Sequence, residues 1–165
     1  MWTILKFDKK KISFLKKDFE EKLGKGFLFY EPKFMIKSFK KNKLTLKEIS
    51  LLDDYIFCFN EKFKEPNIIN LLRNCKGLKY FLNGYLSSQI QIREFISYCK
   101  KRENKNGFIV ENIFEIFEKK KYKFLDGPLA NQIFEIINLR KNKIDIMIGN
   151  IKTKIEKDKF ILNPI

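Results

Sequence analysis

At 165 residues with 44% hydrophobic side chains, among them 18 phenylalanines, the chain can bury one ordinary domain or a domain with a small appended module, and extended disorder is excluded. Lys and Arg outnumber Asp and Glu by 35 to 20, a net +15 that draws polyanions such as nucleic acid or a ribonucleoprotein, although a surface simply solvated by lysine has the same signature. Histidine is absent, which removes the usual general base near neutral pH and the usual activator of a Ser or Cys nucleophile, so the chain is not expected to be an enzyme.

The apolar start Met1-Trp2-Thr3-Ile4-Leu5 gives way at once to Lys6 and to Asp8-Lys9-Lys10-Lys11. That order suits neither a signal peptide nor a membrane span, and a cytoplasmic location is expected. Trp2 to Phe7 is short and rich in aromatic and β-branched residues, and predicts a strand. From Lys11 to Leu23 the period changes: Ile12, Leu15, Phe19 and Leu23 recur at helical steps against Lys16, Lys17, Glu20 and Glu21, and Gly24 and Gly26 stop the helix. Phe27 to Ile36 is apolar but carries Pro32, which predicts an edge strand or extended segment rather than a central strand. Lys37 to Lys47 reads as an exposed basic loop.

Asp53-Asp54 precedes Tyr55-Ile56-Phe57-Cys58-Phe59, a run apolar on both faces that predicts the centre of the sheet. Neighbouring residues on a strand point to opposite sides, so the two aspartates are read as turn residues. Glu65-Pro66-Asn67 opens a second helix reaching Arg73, Leu78 to Leu82 is a further strand stopped by Asn83-Gly84, and Gln91 to Lys101 is a third helix. The order β-α-β-β-α-β-α is that of a small α+β sandwich. Cys58, Cys75 and Cys99 are odd in number and widely spaced, and read as buried small hydrophobes; no metal and no cofactor is expected.

Arg102 to Gly107 is polar and forms the best internal boundary. Beyond it, Tyr122 to Leu125, Ile133 to Leu139, Ile144 to Ile148, Lys152 to Ile155 and Phe160 to Leu162 are short apolar stretches divided by turn residues, the pattern of a small β-barrel. Ile109 to Phe117 and Ile133 to Ile137 also have helical spacing, which leaves open a switch of this module to a helical hairpin.

In this order the two halves resemble the NusG and RfaH family of transcription elongation factors, in which an N-terminal (NGN) α+β domain precedes a five-stranded, SH3-like KOW barrel. Trp2 resembles the family's opening Trp-Tyr strand, with Thr3 in place of Tyr. Leu51-Leu52-Asp53-Asp54-Tyr55-Ile56-Phe57, Leu72-Arg73-Asn74 through Phe81-Leu82-Asn83-Gly84, and the turn Asp126-Gly127-Pro128-Leu129-Ala130 carry the rest. Asp53-Asp54 replaces the family's Pro-Gly, and the later KOW glycine is missing around Gln132-Ile133-Phe134, which points to a divergent or specialised paralogue.

The resemblance implies an α+β fold divided into an NGN-like domain at 1–104, a linker at 105–117 and a KOW-like domain at 118–165. It implies a factor that binds the clamp helices of RNA polymerase, reduces pausing, and acts in termination or antitermination through its KOW domain. An apolar cavity of Trp2, Ile4, Leu52, Tyr55 and Leu72, with Arg73 at its rim, would grip the clamp helices. Lys9, Lys10, Lys11, Lys16 and Lys17, on or just before the first helix, and Lys37, Lys40 and Lys41 on the basic loop would follow the DNA of the transcription bubble through its phosphates. Gly127, Ile148 and Gly149 would meet the KOW partner, Rho or a small-subunit ribosomal protein, and the chain would act as a monomer. The alternatives are a KOW-containing RNA- or ribosome-binding protein acting in translation, and a metal-dependent nuclease built on Asp53, Asp54 and Asp126.

Overall fold

The computed structural model describes residues 1–40, 43–110, 112, 114–157 and 159–165. They form, in chain order, β1 (Trp2–Phe7), α1 (Ile12–Leu23), β2 (Leu28–Tyr30), β3 (Lys33–Lys40), β4 (Lys43–Ser50), β5 (Tyr55–Phe59), α2 (Ile68–Leu72), β6 (Leu78–Phe81), α3 (Gln89–Lys100), β7 (Phe108–Ile109), β8 (Lys121–Phe124), β9 (Ile133–Leu139), β10 (Lys143–Ile148), β11 (Ile151–Glu156) and β12 (Leu162–Pro164). The result is a mixed α/β chain with three sheets. Among the described residues no helix is long and apolar enough to cross a membrane. Two compact units are present, Met1–Lys33 with Ser50–Lys101, and Phe34–Ile49 with Arg102–Ile165.

In the first unit a four-stranded sheet has the order β2-β5-β1-β6, with every neighbour antiparallel. The pleat sorts its side chains. Leu5 and Phe7 of β1 and Ile56 and Cys58 of β5 turn to one face, where they pack with Leu15, Phe19 and Leu23 of α1 and Ile68 and Leu72 of α2 in one buried cluster. The other face carries Trp2, Ile4 and Phe57 against Ile92, Phe95 and Ile96 of α3. A 3-10 turn at Lys9–Lys11, capped by Asp8 accepting from the Lys10 N–H at 3.0 Å, leads into α1. Gly24 ends α1 at φ +83°, its N–H returning to the Glu20 carbonyl at 2.9 Å. The expected helices and the central place of Tyr55–Phe59 are all present. Pro32 falls in the break between the edge strand β2 and β3, and its carbonyl accepts from the Leu51 N–H at 2.9 Å.

The second unit corrects one expectation. Lys37 to Lys47 is not a basic loop: β3 and β4 run through most of it and join β7 in a three-stranded sheet of order β4-β3-β7. Phe34 and Ile36, 2% and 5% exposed, alternate with the partly exposed Lys33 and Met35, the period-two burial of a strand. The remaining strands form a five-stranded antiparallel sheet of order β11-β10-β9-β8-β12. Its core joins Tyr122, Phe124, Phe134, Ile136, Ile144 and Ile146 to Ile155 and Leu162, and the Phe124 and Phe134 rings lie 4.3 Å apart. Ile133 to Ile137 is strand in this structure. Cys58, Cys75 and Cys99 are all buried, and burial pushes the Cys58 and Cys75 thiols up from their ordinary range, which makes them poor nucleophiles.

Candidate functional site

The candidate site lies on the α3 side of the first unit's sheet. In β1 the residues on this face are Trp2, Ile4 and Lys6, and across the ladder Ile4 stands opposite Phe57 and Lys6 opposite Tyr55. A side chain fixes where α3 sits. Strand β6 pairs with Leu5 to Phe7, and the Gln89 amide at the start of α3 takes up the Trp2 backbone, accepting from its N–H at 3.0 Å and donating to its carbonyl at 2.7 Å. The same Nε2 donates to the Tyr85 carbonyl at 2.7 Å. Held there, α3 buries Phe57 under Ile92 and Ile96 but leaves an open groove of about 480 Å³, walled by Ile4, Leu52, Tyr55 and Phe57 on the sheet side and by Ile92 and Phe95 on the helix side. Leu82, Ser88 and Gln91 complete it. A half-exposed apolar groove of this kind is suited to an amphipathic helix from another protein.

One end of the groove is polar. Asp53, at φ +52°, makes the turn before β5, and Asp54 is held by Lys79 at 3.0 Å and by Lys6 at 3.7 Å. The hydrogen bond from Lys79, and then the charges of Lys6 and Lys79, hold the Asp54 carboxyl below its usual range. The Tyr55 and Tyr80 hydroxyls are 2.9 Å apart, and the Lys6 ammonium sits 5.0 Å and 5.9 Å from the centres of their rings. The hydrogen bond with Tyr55, with burial second, raises the Tyr80 phenol above its usual range.

Of the six residues expected to grip a partner, the structure brings Ile4, Leu52 and Tyr55 into the groove and packs Trp2 with Ile4 and Leu52 in the cluster around Phe57. It does not bring Leu72 there: that side chain is fully buried in the cluster on the opposite face, beside Ile68 one helical turn before it. Arg73 lines a neighbouring pocket of about 430 Å³ at the β6 edge, with Tyr80 and Tyr85. Phe57, Leu82, Ile92 and Phe95 were not foreseen. Parity along β5 places Phe57 with Tyr55, and the three-residue step places Phe95 with Ile92, so both were open to sequence reasoning.

Lys9, Lys10, Lys11, Lys16 and Lys17 are exposed on the 3-10 turn and α1. Lys9 reaches Asp53 at 3.1 Å, Lys11 reaches Asp8 at 3.5 Å and Lys17 reaches Glu21 at 3.9 Å, exposed pairs that a phosphate can replace at little cost. Lys37 and Lys40 belong to strand β3, and Lys41 lies outside the described residues. Gly127 turns the chain between β8 and β9 at φ +76°, where a Cβ would stand 3.0 Å from the Phe160 ring; no other residue fits without displacing that ring. Ile148 ends β10 half-buried, and Gly149 turns into β11 at φ +56°.

The three aspartates of the nuclease alternative have other partners. Asp53 and Asp54 pair with lysines, and Asp126 accepts from the Ile161 N–H at 2.9 Å. Among the described residues no group of three Asp, Glu, Cys or His side chains could hold a metal ion.

No family model and no curated protein matches the sequence. Among solved structures the chain is similar to one of the MjSpt4:Spt5 complex in conformation B, at 12% identity over 100% of this chain and 98% of that chain with a TM-score of 0.34. It is also similar to a structure of Thermotoga maritima NusG, at 13% identity over 94% of this chain and 91% of that chain with a TM-score of 0.33. At such low identity and TM-score these likenesses say nothing on function, which has to be read from the chain's own residues.

Proposed function

We propose that the chain is a NusG-like transcription elongation factor, with no catalytic activity of its own, that docks the clamp helices of RNA polymerase and reduces pausing. The observation that carries this reading is the open apolar groove between α3 and the sheet, with Ile4, Leu52 and Tyr55 in its wall. The resemblance to the family assigns these three positions to the docking surface. A helical hairpin laid along the groove would bury its own apolar stripe there, and apolar area removed from water contributes about 25 cal/mol per Å².

In this reading residues 1–104 form the NGN-like domain, apart from β3 and β4, which cluster with the second unit. Residues 118–165 form the KOW-like barrel, reached through 105–117. The exposed lysines of the turn and of α1 follow the phosphates of the transcription bubble without reading bases. The barrel recruits a partner, Rho or a small-subunit ribosomal protein, through Gly127, Ile148 and Gly149, and so couples polymerase to termination or antitermination.

The test sets this reading against its alternative, an RNA- or ribosome-binding protein of translation. Immobilised full-length protein is challenged with equal concentrations of purified RNA polymerase and of ribosomal subunits. Retention of polymerase, lost with Leu52→Glu, is the expected result. Retention of ribosomal subunits alone would assign the chain to translation.

A further inference from the structure

The end of the groove is built for more than apolar contact. Two phenols bonded to one another use one of their protons in that bond, so the Tyr55–Tyr80 pair at 2.9 Å has one proton left over for an outside acceptor. The charges nearby are unequal: Lys6 and Lys79 share the single carboxylate of Asp54, which leaves one positive charge in excess beside the phenols. Lys6 is 28% exposed, and its ammonium faces both rings from 5.0 Å and 5.9 Å. Burial pulls that ammonium down, but Asp54 and the two tyrosines outweigh it, so Lys6 stays charged. Tyr55 belongs to the groove wall itself, so a helix lying in the groove passes within reach of this cluster.

We propose that the helix docked in the groove carries an acidic side chain at this end, whose carboxylate accepts from the free phenolic O–H of the Tyr55–Tyr80 pair and from Lys6. This rests on the docking reading above and adds to it the chemistry that orients the partner. An apolar stripe alone fits a groove in two directions, and a charge at one end selects one of them. A basic side chain would face two ammonium groups and find the one nearby carboxylate already engaged. A neutral apolar residue would strip water from Lys6 and the phenols and return nothing to them. The carboxylate satisfies all three.

The test measures binding of the full chain to purified RNA polymerase for four forms: unmodified, Tyr80→Phe, Lys6→Met and Leu52→Glu. Tyr80→Phe deletes one oxygen from a side chain that is 46% exposed and keeps the ring; it is expected to weaken binding by roughly three- to tenfold. Lys6→Met keeps the aliphatic stem and is expected to weaken binding by about tenfold and to flatten its salt dependence. Leu52→Glu is expected to abolish it. If Leu52→Glu abolishes binding while Tyr80→Phe and Lys6→Met leave affinity and salt dependence unchanged, the acidic contact is wrong and the groove stands. Tighter binding by Lys6→Met would also overturn it, by pointing to a basic or apolar group at this end. If Leu52→Glu has no effect, the docking reading falls and this inference with it.

Discussion

Asp54 joins the stability of the first unit to the integrity of its groove. Its carboxyl is held below the ordinary value of 3.8, first by the hydrogen bond from Lys79 and then by Lys6. In the unfolded chain the group binds its proton at the higher pH, so its stabilising contribution is complete above about pH 4 and is lost as the pH falls through the lowered folded value. Asp54→Asn is therefore expected to lower the thermal midpoint at pH 7 and to reduce the fall in midpoint between pH 5 and pH 3. An acid dependence identical in both proteins would show that Asp54 does not carry it. Three residues of the groove, Ile4, Leu52 and Tyr55, were legible in the sequence, and strand parity, which needs no tertiary information, also sets Phe57 on the face of Tyr55. Leu72 was not placed correctly. Its apolar character is compatible with either face of the sheet, and only its packing with Ile68 against α1 decides for the core. The pairing of Tyr55 with Tyr80 was invisible for the same reason, since the two are brought together only by the pairing of β1 with both β5 and β6.

At the scale of elements, the join between the loop before β6 and the turn before α1 holds the first unit's glycine with the least room for a side chain. Gly77 stands at φ +93°, and a Cβ there would lie 2.8 Å from Lys11 Cβ and 3.0 Å from the Lys11 carbonyl oxygen. The Gly77 carbonyl also accepts from the Asp8 N–H at 2.8 Å. Gly77→Ala combines an unfavourable backbone conformation with a contact to main chain that cannot swing away, and is expected to cost about 2–4 kcal/mol in urea denaturation at neutral pH. A loss below about 0.5 kcal/mol would mean that the two segments separate freely. Elements with strong local periodicity, such as α1 and α3, were readable in the sequence, as were the β-runs of the second unit. Strand β4 and the part of β3 beyond Ile36 were not. Lysines at 37, 40, 43 and 47 hide the alternation of Phe34 and Ile36, and the strand that extends their sheet, β7, is about seventy residues further along the chain. Local pattern cannot register a partner at that distance.

The net charge of +15 belongs to the whole molecule. If the exposed lysines follow phosphates, affinity for a DNA bubble falls linearly on a log–log plot against salt, with a slope set by the number of phosphates neutralised. Lys10→Gln, Lys16→Gln and Lys17→Gln combined are expected to reduce that slope by about 2–3 without changing any preference among sequences. An unchanged slope would return these lysines to the role of a solvated surface. Docking of the groove on the clamp helices is tested most directly by a photocrosslink. With a photoreactive benzoylphenylalanine in place of Leu52, irradiation of the full-length protein in an assembled transcription elongation complex is expected to yield one dominant crosslink, to the clamp helices of RNA polymerase. A crosslink to any other component, or none in a complex that retains the protein, would contradict it.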